Sequence, residues 1–120
     1  MKGPSIERQR RYRRGVLGEW AALLALLVKG YRPIGRRVAT HAGEIDLIVV
    51  RRRRLAFVEV KRRGTVEAAE ASIGTRQRQR IRRAADIWLG RHARYVDYEL
   101  GFDLVLVVPR RWPLHLRDAL

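Results

Sequence analysis

The sequence predicts an α/β fold, with a mixed central β-sheet flanked by helices. Three observations carry that expectation. The stretch GEIDLIVVRRRRLAFVEVKRR, residues 43–63, alternates apolar with other residues on either side of four arginines, the pattern of a β-hairpin. Apolar residues at helical spacing precede it at Arg14 to Lys29 and follow it at Glu70 to Arg91. LVLVV, residues 104–108, is a continuous apolar run, as in a strand covered on both faces. It follows a helix that follows a strand, so a crossover into a mixed sheet is the natural connection.

Taken in order, residues 1–13 (MKGPSIERQRRYR) read as a flexible basic tail, solubilising or touching phosphates, and residues 14–120 as a single domain. In the first helix Leu17, Trp20, Ala21, Leu24 and Leu27 or Val28 share helical spacing, and Gly30 ends it. Glu19 is its only acidic residue. It is either an exposed charge near a helix start, where the dipole favours it, or a carboxylate turned toward the sheet. Tyr31 to Thr40 is expected to be an edge strand, because it contains Pro33 and Gly35. His41-Ala42-Gly43 makes the next turn, with His41 read as solvated rather than as part of a site.

The hairpin strands are Glu44 to Val50 and Leu55 to Arg62, with the turn in Arg51, Arg52, Arg53 and Arg54. That turn is either a solvated tip or a phosphate contact at one end of the site. Residues 64–67 are a loop. On the second helix Ile73, Gln77, Ile81, Ala84, Ala85 and Trp88 share one face. Arg76, Arg78, Arg80, Arg82 and Arg83 fall mostly elsewhere and form a basic surface suited to a phosphate backbone. Gln77, on the apolar face, requires a polar partner. Tyr98 to Pro109 is the last clear strand, with Asp103 as a strand-end or capping carboxylate. Trp112 to Leu120 adds a short strand or turn.

The charge is lopsided: 27 Lys and Arg against 12 Asp and Glu, a net +15 over 120 residues. Such a field favours polyanions, nucleic acid first and an anionic membrane surface second. Cysteine is absent and no pair of the three histidines has zinc-ligand spacing. Any metal is therefore expected to be a hard, oxygen-liganded cation, magnesium or manganese. The apolar stretch Val16 to Val28 is too short for a membrane span and no secretory cleavage site follows it, so a cytoplasmic protein is expected.

Asp46, Glu59 and Lys61 are charges inside otherwise apolar, β-branched runs. A buried carboxylate is costly unless paired or bound to a metal. Any even loop centred on Arg52-Arg53 pairs positions that sum to 105, which sets Asp46 across from Glu59, with Lys61 on the same face. Two carboxylates and an ammonium on one face supply the parts for phosphodiester hydrolysis. Asp46 and Glu59 would hold a metal, the Val60 carbonyl would add a ligand, and Lys61 would orient water or stabilise charge on phosphorus.

GEIDLIVV, then FVEVKRR, preceded by RRGVLGEWAALLALLVKGY and followed by a basic helix and GFDLVLV, resembles the YraN-type family of small bacterial proteins. The resemblance covers roughly Arg14 to Val108. It implies a restriction-endonuclease-like, or Holliday-junction-resolvase-like, fold with Glu19, Asp46, Glu59 and Lys61 in that superfamily's metal-site positions. Two departures stand out: Gln77 where a lysine is expected, and Gly101 where an arginine is usual. Two readings follow, a metal-dependent endonuclease cutting DNA, branched or structured DNA included, and a non-catalytic nucleic-acid-binding module. Junction-cutting relatives work as dimers, which leaves a homodimer open.

Overall fold

The computed structural model describes residues 6–120, with side chains from Leu17 onward. The elements in order are α1 (Ile6–Val28), β1 (Arg32–Thr40), β2 (Gly43–Arg51), β3 (Arg54–Arg62), α2 (Val66–Ala71), α3 (Thr75–Gly90), a short 3-10 turn (Ala93–Tyr95), β4 (Glu99–Val107) and β5 (Leu114–Leu116). The strands form one sheet in the order β1-β2-β3-β4-β5. β3 and β4 run parallel and the other neighbours antiparallel. The expected α/β architecture, a mixed sheet flanked by helices, is therefore present, and it is compatible with a restriction-endonuclease-like arrangement.

β3 and β4 are buried along most of their length, so Leu55–Val58 and Leu104–Leu106 are apolar without alternation. The sheet separates two packing layers. On one side Ala22, Leu23 and Leu26 of α1 meet Leu47, Val49, Ala56, Val58 and Val105. On the other, Ala84, Ala85 and Trp88 of α3 meet Ile45, Ile48, Val50, Leu55 and Phe57. β1 is an edge strand, as Pro33 requires.

Several boundaries differ from expectation for local reasons. α1 begins at Ile6, within the stretch read as a tail, because no glycine or proline interrupts residues 6–14; residues 1–5 lie outside the described residues. The second helix is two. Thr65 caps α2 by accepting the Ala68 N–H at 3.1 Å, and Ser72-Ile73-Gly74 then breaks the chain before α3. The hairpin turn is Arg52-Arg53, with Arg51 paired to Arg54, and Arg52 takes the left-handed φ of 54° that a two-residue turn demands.

The face of α1 expected to pack is the exposed one. Leu17, Trp20, Leu24, Leu27 and Val28 are 46–69% exposed, while Ala22, Leu23, Ala25 and Leu26 are buried. The stretch WAALLALLV is apolar around the whole helix, so spacing alone does not select a face.

Candidate metal and nucleic-acid site

The site is built where β2 parts from β3 while staying paired with β1. The β2–β3 register follows the sum of 105 from Arg51↔Arg54 to Leu47↔Val58 and stops there. Hydrogen-bonded pairs alternate along an antiparallel ladder, so the next rung would join Ile45 to Val60. Instead the Val60 N–H donates to the Asp46 carboxylate at 2.8 Å. On the other side of β2, Arg36 pairs with Leu47 and Val38 with Ile45, and the intervening Arg37 is bent to φ 49°. A bulky residue held in that region is strained. Asp46 thus lies at an opening in the ladder on both sides, one residue beyond the regular facing register.

Six charged side chains line the resulting pocket of about 750 Å³, Glu19, Asp46, Glu59, Lys61, Arg62 and Arg63, together with Val60 and Gly18. Glu59 is buried and pairs with Lys61 at 3.1 Å. Its Oε1 also accepts the Gln77 side-chain N–H at 2.6 Å, which is the polar partner Gln77 required. Glu19 accepts from Arg37 Nε at 2.7 Å. It continues the buried stripe of α1 (positions 19, 22, 23 and 26), a helical spacing that marks its direction in the sequence. α1 lies close to β3 at Gly18, where a Cβ would make ordinary contact with the Arg62 side chain at 3.4 Å.

Burial pushes the Asp46 carboxyl up to about 7, helped by the neighbouring Glu59 and Glu19 charges; the Val60 N–H and Lys61 offset only part of this. The charged form of Asp46 is therefore disfavoured where it stands, although Lys61, Arg62 and Arg63 also line the pocket. Its donors are hard oxygens, and the strand alternation turns the Val60 carbonyl, like its N–H, toward the side β2 has vacated. These donors suit magnesium or manganese. Among the described residues no three carboxylates or histidines converge into a ready-made metal cluster. Glu19 is held by Arg37, and Glu59 by Gln77 and Lys61.

The expected cationic residues divide. Arg76 and Arg80 line a groove with Gln77, Arg83 and Lys61, and Lys61 also borders the carboxylate pocket. Gly43 permits this approach, since any side chain there would collide with Arg80. Arg78 is exposed but does not line that groove. Arg51, Arg52 and Arg53 are at the opposite end of the sheet, about 16 Å from Glu59 along β3, so the tip does not border the site.

Arg54 is not a tip residue at all. It is 5% exposed and makes paired 2.7 Å hydrogen bonds to Asp103, which is fully buried in the middle of β4 rather than capping a strand end. The Tyr31 hydroxyl, His115 Nε2 and the Asp118 N–H complete this network. Burial acts to raise the Asp103 carboxyl, but the hydrogen bonds from Arg54, His115 and the Asp118 backbone outweigh it and hold it well below the carboxylate range. The pairing was hidden in sequence because the two residues are 49 apart and Gly101 opens the space the guanidinium fills. His41 is exposed in the β1–β2 turn.

Fold and pocket together define a small α/β domain that gathers carboxylates at a break in its central hairpin and rims them with arginines. Residues 18–107 match the family described as Uncharacterised protein family UPF0102, and the chain belongs to this family, the YraN-type family. A UPF0102 protein of Methylorubrum populi is 54% identical over 116 residues, covering 97% of this chain and 93% of that protein. One from Mesorhizobium japonicum is 53% identical over 117 residues, again 97% and 93%. One from Parvibaculum lavamentivorans is 54% identical over 108 residues, 90% of this chain and 81% of its own.

Proposed function

We propose that this chain is a cytoplasmic, divalent-metal-dependent endonuclease that hydrolyses phosphodiester bonds of DNA, with branched or structured DNA among its substrates. The observation that carries the reading is the convergence of Asp46, Glu59 and Lys61 in one pocket that meets the arginine groove of α3 through Lys61. Asp46, Glu59 and the Val60 carbonyl would hold magnesium or manganese, with Glu19 completing the shell once it leaves Arg37. When bound, such a cation supplies Lewis-acid polarisation of the phosphate.

The chain's own residues do the rest. Arg76 and Arg80 hold the strand by its phosphates and carry no sequence information. Lys61 places its ammonium where negative charge grows on the phosphate oxygens. Gln77 fixes Glu59 from α3, so the carboxylate faces the pocket. The burial that raises Asp46 also keeps bulk water from screening these charges.

A second reading, a non-catalytic nucleic-acid-binding module, is favoured by one observation: Glu19 and Glu59 are already satisfied by Arg37 and Gln77. The deciding experiment incubates linear, single-stranded and four-way-junction DNA with magnesium or manganese. Metal-dependent cleavage lost in Asp46→Asn and Glu59→Gln supports the enzyme. Binding without cleavage of any substrate supports the module.

The self-association surface proposed here is the exposed α1 stripe. Leu17, Trp20, Leu24 and Leu27 are exposed and recur at intervals of three and four, the spacing by which two helices interlock. A second copy of this chain is its occupant, because two such stripes are mutually complementary. Among the described residues no helix is long and apolar enough to cross a membrane.

A further inference from the structure

The hairpin tip forms a second cavity, of about 670 Å³, lined by Lys29, Arg51, Arg52, Arg53, Arg54, Glu99 and Arg117. Six cations meet one carboxylate there. Among the described residues none of Lys29, Arg51, Arg52, Arg53 and Arg117 is ion-paired, and like charges so placed repel unless an anion lies between them.

Three of these cations are held in place rather than left loose. Lys29 Nζ bonds His115 Nδ1 at 2.9 Å. Arg51 donates to the Lys29 carbonyl at 3.1 Å and lies over the Tyr31 ring. Arg53 lies over Tyr98, 4.5 Å from the ring centre. Cations fixed by neutral groups keep their charge available and lose little freedom when an anion arrives. Arg54 also lines the cavity; its guanidinium is bonded to Asp103, Tyr31 and Asp118, and among the described residues its buried Nε–H has no acceptor.

We infer that this cavity is a phosphate-binding site, separate from the carboxylate pocket. It takes the phosphate group of a nucleic-acid strand, either as a terminal monoester or as an internal diester. The two pockets lie along the same helix. Glu19 borders one and Lys29, just past the end of α1, borders the other; the nine steps from Glu19 to Val28 span about 14 Å. A strand can therefore reach both, yet binding at the tip does not depend on whether the carboxylate pocket is catalytic.

The test uses the full chain in EDTA, so that cleavage plays no part. Anisotropy is measured with 3′-labelled oligonucleotides carrying a 5′-phosphate or a 5′-hydroxyl, and the Arg Nε–H resonances are followed during titration with inorganic phosphate. Arg51→Gln/Arg117→Gln removes two charges from the rim, and Arg117→Gln alone, at an exposed position, serves if the double variant does not fold. A preference for the 5′-phosphate of about tenfold that vanishes in the variant identifies the monoester. Equal weakening of both oligonucleotides, with the Arg54 Nε–H shifted by inorganic phosphate, identifies the diester. Unchanged affinity of the variant for both, with the Arg54 Nε–H unmoved by phosphate, overturns the site. Because inorganic phosphate reads the cavity without DNA, a failure of the nuclease reading leaves this result intact.

Discussion

The Asp46 carboxylate accepts the Val60 N–H at 2.8 Å, in the position where a backbone carbonyl of β2 would complete the ladder. A side chain has replaced a rung. This sets the carboxylate beside Glu59 and opens the pocket at the point where β2 parts from β3.

Replacing Asp46 with Asn keeps the rung, because an amide oxygen also accepts from Val60. It removes the charge, so metal-dependent cleavage is expected to fall by about 10² or more. Stability is expected to move the other way. The folded pKa of about 7 lies above the unfolded value of 3.8, so the native state holds a proton that the unfolded chain has lost between those values. The contribution of Asp46 to wild-type stability is then greatest below about pH 4, declines as pH rises toward 7, and levels off above it. Asp46→Asn lacks this slope. Thermal unfolding at about pH 8 is expected to show the variant more stable than the wild type, with the difference shrinking toward pH 4. A variant less stable at both values contradicts the burial cost assigned to Asp46.

Lys61 pairs with Glu59 but lies at the rim it shares with the α3 groove. Lys61→Met is expected to lower kcat by about 10² while changing DNA affinity less than threefold. Single-turnover cleavage beside equilibrium binding checks this. A loss confined to affinity assigns Lys61 to phosphate binding alone.

Arg76 and Arg80 are expected to act as phosphate contacts. Each Arg→Gln change should weaken DNA binding without regard to sequence and reduce the slope of log affinity against log salt by about 1. Arg78→Gln, outside the groove, should leave the slope nearly unchanged. Titrations between about 50 and 200 mM salt separate these outcomes.

The α/β class, the hairpin and its register were legible because they rest on local alternation and on one sum of residue numbers. The opening at Asp46 was not, since it depends on Arg37 adopting a left-handed backbone on the neighbouring strand. The role of Arg54 was concealed for a different reason. Four consecutive arginines look alike in sequence, but only the fourth points inward, at a carboxylate that chain order places 49 residues away. The buried face of α1 was illegible because the helix is apolar all round, although Glu19 on the 19/22/23/26 stripe carried the clue.

The Arg54–Asp103 pair is expected to be the most sensitive point in the fold outside the apolar core. Both members are buried, and Asp103 accepts from Arg54, His115 and the Asp118 N–H at once. Removing one partner leaves a charge stranded in a poorly polarisable interior. Arg54→Met is therefore expected to cost about 3–5 kcal/mol, read as a lower midpoint in urea at unchanged slope. Gly101→Ala attacks the same pair from outside, since its Cβ would collide with the Arg54 guanidinium. It is expected to destabilise the wild type but to do much less in the Arg54→Met background, where the collision is relieved. Additive losses in the double variant would place the effect of Gly101 somewhere other than the space it leaves for Arg54.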